Sequence, residues 1–320
     1  MLTGRDIPVN AFRSSLYTRF DLLSGFDCDD PRSYERTLDF QAYQFFVSSG
    51  KRAVTSYEHS IVESLHDNSM TQALLTFLQG RRVVGFMGGH DVDRDSQTYR
   101  NVAVLAKRIA EANFVVTTGG GPGAMEAGHA GAFYANEPAS VLEHALAALA
   151  QQPTLPSDLG QILFPDGTVR YDLLEALHAW QAVAERLVSL GPSSKDRAPS
   201  LGVPTWLYGH EPPTPFADYT AKYFQNSIRE DGLLAIANHG VVFVEGRAGT
   251  FQEVFQIANQ NYYLTEGPFR PMIFLGREFW TRSGVVEVLR ALFSPADFSR
   301  FVLVTDDLEE AYRLLLSYGT

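Results

Sequence analysis

The sequence predicts an α/β protein with an open, mainly parallel and doubly wound sheet, and three observations lead to this fold class. Short apolar segments rich in β-branched residues recur from residue 81 onward, and they end in glycine-containing turns. Segments with apolar residues at helical spacing follow these turns. Strands and helices that alternate in this way form parallel sheets with right-handed crossovers. We therefore expect a Rossmann-like sheet, with an N-terminal helical extension and a helical insertion.

Composition and charge exclude several classes of protein. With 320 residues, of which 45% are hydrophobic and 20% charged, the chain can bury a substantial core. A net charge of -11 argues against sequence-independent binding of nucleic acid, which needs clustered lysine and arginine. The single cysteine, Cys28, excludes an intramolecular disulfide framework and a cysteine-based zinc cluster. No apolar run approaches the roughly 20 residues that span a bilayer, and the first ten residues lack a signal-peptide apolar segment. We expect a cytoplasmic protein.

Residues 1–80 are predicted to form a helical extension that packs on the main domain, residues 81–320. Ser33 to Val47 and Ser69 to Gln79 have apolar residues at helical spacing, and the glycine turns of the later chain do not occur between them. The many aromatic residues of this extension are expected to belong to the core.

Two strand–helix units open the predicted main domain. In the first, a buried strand from Val83 to Met87 runs into Gly88 and Gly89, and a helix spans Tyr99 to Ala112. The second runs from Phe114 to Ala135, where an apolar strand ends in the glycine-rich turn 119–123 before a segment of small residues at helical spacing. Pro122 is expected in the first turn of that helix, where its missing N–H is tolerated.

The rest of the chain continues this alternation after an interruption. Residues 138–200 are predicted to be an insertion with two amphipathic helices, whose apolar stripes indicate packing within this chain or against a partner subunit. The later predicted elements are a third strand (Leu201 to Tyr208), a helix (Ala217 to Ala237), a fourth strand (Val241 to Val244) with a helix from Phe251, and strands at Pro271 to Gly276 and Arg300 to Thr305.

Three glycine-containing strand ends are predicted to meet at one crevice, namely Gly88-Gly89, 119–123 and Gly246 to Thr250. Parallel sheets bind ligands beyond the carboxyl ends of their strands, and helix starts attract anions such as phosphate. The turn after Phe114 to Thr118 lacks the Gly-Lys-Ser/Thr of a P-loop, and no G-x-G-x-x-G opens the first unit. We therefore favour a nucleoside monophosphate as ligand and disfavour a dinucleotide, with a ligand-free glycine-rich connection as the alternative.

Two stretches resemble a known family. TTGGGPGAMEAGHAGA, from Thr117 to Ala132, and EGRAGTFQEVF, from Glu245 to Phe255, are similar to the two signature motifs of the Lonely Guy (LOG) family, formerly described as lysine decarboxylases. The resemblance covers roughly Arg81 to Phe255 without the insertion. In the second stretch Glu245 and Arg247 depart from the family's PGGxGTxxE pattern.

The resemblance implies a nucleoside 5′-monophosphate phosphoribohydrolase that cleaves the N-glycosidic bond to give free base and ribose 5-phosphate. It implies no cofactor, and a homodimer or a higher homo-oligomer. By the resemblance, Glu253 is the catalytic carboxylate, and Arg229, offset by about one residue, stabilises charge or positions the substrate. A carboxylate suits an oxocarbenium-like transition state, and an arginine can hold a phosphate or the departing base. Without the resemblance, the sequence would favour a simple helix-dipole partner as the role of Glu253.

The remaining predicted site residues surround the nucleotide, with Glu126 near the ribose. The residues expected to bind nucleotide or phosphate are Gly88, Gly89, Gly120, Gly121, Gly123, Glu126, Gly246, Arg247, Gly249 and Thr250. Arg247 either narrows the phosphate pocket, supplies a phosphate ligand, or forms a salt bridge with Glu245. The altered turn supports the alternative of a non-catalytic nucleotide-binding or sensing protein.

No metal site is expected, because the histidines lack metal-ligand spacing. His90, His129, His210 and His239 are expected to be structural or ligand-positioning residues, with His210 the most favourably placed to face the crevice. The sequence leaves open which base is bound and what the extension and insertion contribute.

Overall fold

The computed structural model describes residues 7–50, 57–192, 198–207, 209 and 211–318. The strands in this part of the chain are β1 (Val83–Met87), β2 (Val115–Thr118), β3 (Leu201–Gly202), β4 (Tyr219–Thr220), β5 (Val241–Phe243), β6 (Met272–Leu275) and β7 (Val302–Thr305). They form one sheet in the order β4-β3-β2-β1-β5-β6-β7, in which every neighbouring pair is parallel. The predicted doubly wound α/β fold is confirmed.

Helices cover both faces of this sheet. In the described residues they are α1 (Arg19–Leu22), α2 (Leu38–Ser48), α3 (Tyr57–Leu78), α4 (Gln97–Glu111), α5 (Ala124–Phe133), α6 (Ala139–Leu149), α7 (Tyr171–Leu190), α8 (Asn226–Ile236), α9 (Ala248–Tyr263), α10 (Arg277–Ser283), α11 (Val285–Leu292), α12 (Pro295–Phe301) and α13 (Leu308–Ser317). Two short 3₁₀ turns lie at Ser33–Arg36 and Leu159–Gln161.

The core follows from the alternation of side chains along the strands. In β1, Val84 and Phe86 belong to an apolar cluster with α4 and α5, whereas Val83 and Met87 belong to a second cluster with α2, α7, α8 and α9. Every residue of β1 is buried, as expected for a strand covered on both faces. The N-terminal extension and the insertion therefore share one core with the sheet.

The strand order reverses between β1 and β5, and this reversal positions the candidate site. From β1 the chain builds outward through β2 and β3 to β4, and then returns to place β5 on the other side of β1. Ligands of open α/β sheets bind at such a switch point. The turns after the two strands touch there, since the Gly89 N–H donates to the Glu245 carbonyl over 3.0 Å.

The third predicted strand is shorter than expected, and a fourth edge strand was not predicted at all. β3 contains only Leu201–Gly202, because Pro204 has no N–H to continue the ladder. Tyr208 lies outside the described residues. Tyr219–Thr220 pairs as β4 instead of opening the predicted helix, and Thr220 also exchanges both backbone hydrogen bonds with Tyr17. Tertiary pairing overrides the local helical pattern there.

The predicted helix over 217–237 begins only at Asn226, because a residue of the N-terminal extension caps it. The Asp67 carboxylate accepts hydrogen bonds from the N–H groups of Phe224 and Gln225, at 3.0 and 2.8 Å. These donors lie at the start of α8, where N–H groups have no intrahelical partner. Asp67 of α3 therefore fixes the helix that carries Arg229.

The predicted helices of the extension are present with different bounds. The helix expected over Ser33 to Val47 is a 3₁₀ turn followed by α2, with Thr37 at the break accepting from the Phe40 N–H over 3.2 Å. The helix expected over Ser69 to Gln79 is the second half of the longer α3. None of the helices in the described part of the chain combines the length and the apolar character needed to cross a bilayer.

Both helices predicted in the insertion are present as α6 and α7. The apolar stripe of α7 packs within this chain, since Leu174 and Leu177 are fully buried in the core. Its polar side contacts the N-terminal extension through Glu185, which pairs with Arg19 at 3.0 Å. The insertion and the N-terminal extension are therefore in direct contact.

Candidate functional site

The glycine-rich turn 119–123 joins β2 to α5 and is buried throughout. Gly120 and Gly123 have φ values of 77° and 67°, which side chains of other residues rarely adopt. A Cβ at Gly123 would collide with the carbonyl oxygens of Gly89 and His90. This close approach joins the turn after β2 to the turn after β1. Pro122 precedes the helix instead of lying in its first turn, because Gly123 is the N-cap residue.

The segment after β3 covers the glycine-rich turn. The Thr214 N–H donates to the Gly120 carbonyl over 3.0 Å, and a Cβ at Gly121 would lie 3.5 Å from the Glu211 Cβ. Glu211 also approaches His90 across the mouth of the turn, with Oε1 and Nδ1 3.7 Å apart. A phosphate at Gly120 and Gly121 would therefore displace this cover. Sequence reasoning did not identify Glu211, and its position follows from a loop without regular structure.

Arg229 and Glu253, the two residues assigned to catalysis by the resemblance, lie within electrostatic range of each other. Arg229 is buried on α8, and its Nε donates to the Val203 carbonyl over 2.9 Å. Its Nη2 lies against the glycine-rich turn, 2.8 Å from where a Cβ of Gly119 would be. Glu253 is half-buried on α9. The guanidinium is close enough to act electrostatically on this carboxyl group.

The environment of Glu253 suits proton transfer near neutral pH. Burial raises the pKa of Glu253 to about 7, the Arg229 charge opposes this rise, and the carboxylates of Glu230 and Glu211 add to it. A carboxyl group with a pKa near 7 can both accept and release a proton at neutral pH. Perturbed groups of this kind cluster at functional sites.

The turn after β5 leads into the start of α9. Arg247 is the N-cap residue, and its side chain is 82% exposed and pairs with Asp91 at 2.7 Å. Glu245 accepts a hydrogen bond from the Thr98 hydroxyl over 2.7 Å. Glu245 and Arg247 therefore pair with other residues and not with each other. Gly249 is exposed with open space around it. The N–H groups of a helix start, beside a cation, favour a phosphate.

Gly246 and Thr250 pack against each other inside this turn. Thr250 is buried, and a Cβ at Gly246 would collide with its side chain and approach the Gly89 nitrogen to 3.1 Å. Gly88 is equally enclosed, because a Cβ there would collide with Val244. These glycines allow the turns after β1 and β5 to pack together.

Glu126 has a different place from the one predicted. It is completely buried, and its two carboxylate oxygens pair with Arg94 at 2.7 and 2.8 Å. The Tyr99 hydroxyl donates to the same carboxylate over 2.9 Å. Glu126 therefore holds Arg94 and Tyr99 instead of facing a ribose. The sequence offered no signal for Arg94, since the pair joins residues 32 positions apart.

The histidines differ in their surroundings. His129 is buried and its Nε2 contacts the Thr118 hydroxyl at 3.0 Å, whereas His239 is buried near the Leu315 carbonyl. His90 is the histidine at the mouth of the glycine-rich turn. His210 lies outside the described residues.

No protein-family model matches the sequence, and no curated protein matches it. Among solved structures, a molybdenum cofactor binding protein from the phototrophic bacterium Rippkaea orientalis is similar at 13% sequence identity, with a TM-score of 0.40. The similarity covers 75% of this chain and 98% of that chain. A similarity at this level supports no functional argument.

Proposed function

We propose that the protein is a nucleoside 5′-monophosphate phosphoribohydrolase. The observation that carries this proposal is the raised pKa of Glu253, about 7, within electrostatic range of the buried Arg229 near the switch point of the sheet. The resemblance to the LOG family, in which Glu253 lies in the second motif and Arg229 on the preceding helix, also supports it.

In the proposed reaction, a water molecule attacks the anomeric carbon and the bond from that carbon to the base nitrogen breaks. The electron pair of this bond goes to the departing base, which takes up a proton, and the attacking water loses one. Glu253 accepts or delivers a proton in these steps because its pKa is near neutral. Its carboxylate also stabilises the positive charge that develops on the sugar. Arg229 holds the phosphate or the departing base.

The phosphate is proposed to bind at the start of α9. The N–H groups of the first helical turn and the exposed Arg247 supply the positive end of the site. Asp91 leaves Arg247 or rearranges with it when the phosphate binds, because a phosphate and a carboxylate compete for one guanidinium.

The experiment that tests the proposal is a chromatographic assay of base release from AMP, GMP, CMP and UMP. Release is expected from at least one of them and is expected to be lost in Glu253→Gln. Glu230→Gln is the matched control, since the Glu230 charge acts on the same carboxyl group but its own carboxylate accepts hydrogen bonds from Asn226 and Gln252. Loss of release in both variants alike, or release that persists in Glu253→Gln, would contradict the assigned role.

The second candidate is a nucleotide-binding or sensing protein without turnover. The turn after β5 favours it, because Glu245 and Arg247 depart there from the family's pattern and are paired with Thr98 and Asp91. Stabilisation of the protein by a nucleotide monophosphate, without any release of base, would support this candidate over the hydrolase.

A further inference from the structure

Buried charged side chains hold both ends of α8, the helix that carries Arg229. The Asp67 carboxylate accepts hydrogen bonds from the N–H groups at its start. At the other end, the Arg270 guanidinium donates to the carbonyls of Leu234 and Ala237, over 3.0 and 3.2 Å. Carbonyls at the end of a helix have no intrahelical partner, and a cation there also interacts favourably with the helix dipole. The position of α8 is therefore fixed at both ends.

Arg270 also joins α8 to α9, the helix that carries Glu253. Its Nη2 donates to the side-chain oxygen of Gln260 over 2.5 Å. The Asn261 side chain accepts from the Arg270 N–H and donates to the Arg270 carbonyl, both over 3.0 Å. Gln260 and Asn261 both belong to α9. One residue outside the two helices thus holds the end of α8 against α9.

This connection is buried, unlike two other polar contacts between the same helices. Arg270 is 1% exposed. The side chains of Gln252 and Gln256 on α9 donate to Glu230 and Asp231 on α8, but both of these hydrogen bonds are exposed. Exposed polar pairs contribute little to stability because water competes for both partners. The buried arginine therefore restrains the spacing of α8 and α9 more strongly than the exposed pairs do.

The spacing of the two helices determines how strongly Arg229 acts on Glu253. Burial raises the pKa of Glu253, the Arg229 charge lowers it, and the carboxylates of Glu230 and Glu211 raise it further. Arg270 contacts α9 about two helical turns, or roughly 10 Å, beyond Glu253. Its own charge therefore acts on this carboxyl group only weakly, and its effect on the site passes through the position of Arg229.

We propose that Arg270 is a positioning residue of the reaction, and that it sets the distance between Arg229 and Glu253 by holding α8 against α9. The inference rests on the proposed function, because it explains how the two assigned groups keep their spacing. Groups that act together in a transition state lose much of their effect when one is displaced by about 1 Å. Arg270 holds the far end of α9, whereas the phosphate is proposed to bind at its start.

The test measures the pKa of Glu253 by NMR titration of protein labelled with carbon-13 at the glutamate carboxyl groups. The Glu253 signal is identified by its absence from Glu253→Gln. Arg270→Met releases the end of α8, so the pKa of Glu253 is expected to rise, but by less than in Arg229→Met. Added to Arg229→Met, the same change is expected to cause no further rise, because both act through one charge. An equal rise with and without Arg229 would overturn the proposal.

Lys107→Met is the matched control. Lys107 is also buried, and its ammonium group donates to the Tyr134 carbonyl at the end of α5 over 2.8 Å and to two carbonyls beyond it. Because α5 carries neither Arg229 nor Glu253, this variant is expected to lose stability as Arg270→Met does and to leave the pKa of Glu253 unchanged. The same pKa rise in both variants would indicate a general loosening of the fold and would contradict a specific role of Arg270.

Gln260→Ala keeps the test decisive if Arg270→Met does not fold. Gln260 is half-buried, and its loss removes a link to α9 while Arg270 keeps the carbonyls of α8. The pKa of Glu253 is expected to rise in this variant by a smaller amount. An unchanged pKa of Glu253 would then overturn the positioning role.

Base release gives the second measurement and separates the two proposals. Arg270→Met is expected to lower kcat about 10- to 100-fold with little change in KM, and Arg270→Lys, which keeps a charged donor, is expected to recover part of kcat. If the wild type releases base but the pKa of Glu253 is the same in Arg270→Met, the positioning role is wrong and the proposed function stands. If the wild type releases no base, the proposed function fails, and the NMR titration still decides whether Arg270 positions Arg229.

Discussion

Replacing Glu253 by glutamine is expected to make the protein more stable above pH 7, although it removes a residue assigned to catalysis. Burial raises the pKa of Glu253 from its ordinary 4.5 to about 7. Below pH 4.5 this group is protonated in both the folded and the unfolded protein. Between 4.5 and 7 the folded protein binds the extra proton, so stability falls as the pH rises through this window. Above pH 7 the penalty of a buried charge is complete.

The size of this penalty follows from the same pKa. A difference from 4.5 to about 7, at about 1.4 kcal/mol for each pKa unit, gives an upper limit of roughly 3 kcal/mol. Glu253 is half-buried, so solvent screens part of this energy, and we expect about 2 kcal/mol. Glutamine has nearly the same shape and carries no charge, so the variant avoids the penalty.

The measurement is urea-induced unfolding of the wild type and of Glu253→Gln at pH 5 and pH 8. Other carboxyl groups titrate in both proteins, and their contributions cancel in the difference. The variant is expected to be the more stable protein at pH 8, with the difference mostly gone at pH 5. A variant that is less stable at pH 8 would refute the reasoning and identify Glu253 as a helix-dipole partner, which would have a lowered pKa.

The remaining predictions concern the surroundings of this carboxyl group. Arg229→Met removes the charge that lowers the pKa of Glu253; the pKa should rise further, shifting the pH profile of base release upward while the rate falls about 10²-fold or more. Arg94→Met leaves the Glu126 carboxylate buried and unpaired, and it is expected to cost about 3–5 kcal/mol in urea unfolding. Gly123→Ala forces an unfavourable φ of 67° and a collision with two carbonyl groups, so we expect a loss of about 1–3 kcal/mol.

Two matched controls accompany these stability measurements. Arg100→Met breaks an ion pair with Glu143 in which the two side chains are 48% and 40% exposed, and it should change stability by at most about 1 kcal/mol. Gly249→Ala adds a methyl group into open space in the first turn of α9 and should be neutral or slightly stabilising. Losses in these controls as large as those in Arg94→Met and Gly123→Ala would contradict the burial argument.

The sequence predicted the long and strongly patterned elements of the fold. The apolar segments that became β1, β2, β5, β6 and β7 are continuous runs, and glycine follows the first four of them, so local information sufficed. β4 has only two residues, and its place depends on Thr220 pairing with Tyr17, which lies some 200 positions earlier. The start of α8 depends in the same way on Asp67. No local pattern contains such partners.

In the candidate site, too, local motifs could be recognised from the sequence, whereas contacts between distant residues could not. Arg229 and Glu253 were assigned by motif resemblance, and the structure places them within electrostatic reach of each other. The role of Glu126 could not be predicted, because it depends on Arg94 arriving from another turn. A sequence motif specifies the residue type at a position, but it does not specify the hydrogen-bond partner of that residue in the fold.

The central position of β1 has a consequence for synthesis on the ribosome. Gly85 of β1 pairs with Val241 of β5, which is translated 156 residues later. Translation proceeds at roughly 5–20 residues per second, so one edge of this fully buried, apolar strand stays unpaired for on the order of 10–30 s after its synthesis. An unpaired strand edge of this kind can join the edge of another chain. During that interval this edge of β1 is open to pairing with another chain, and slower translation of the insertion would lengthen the interval.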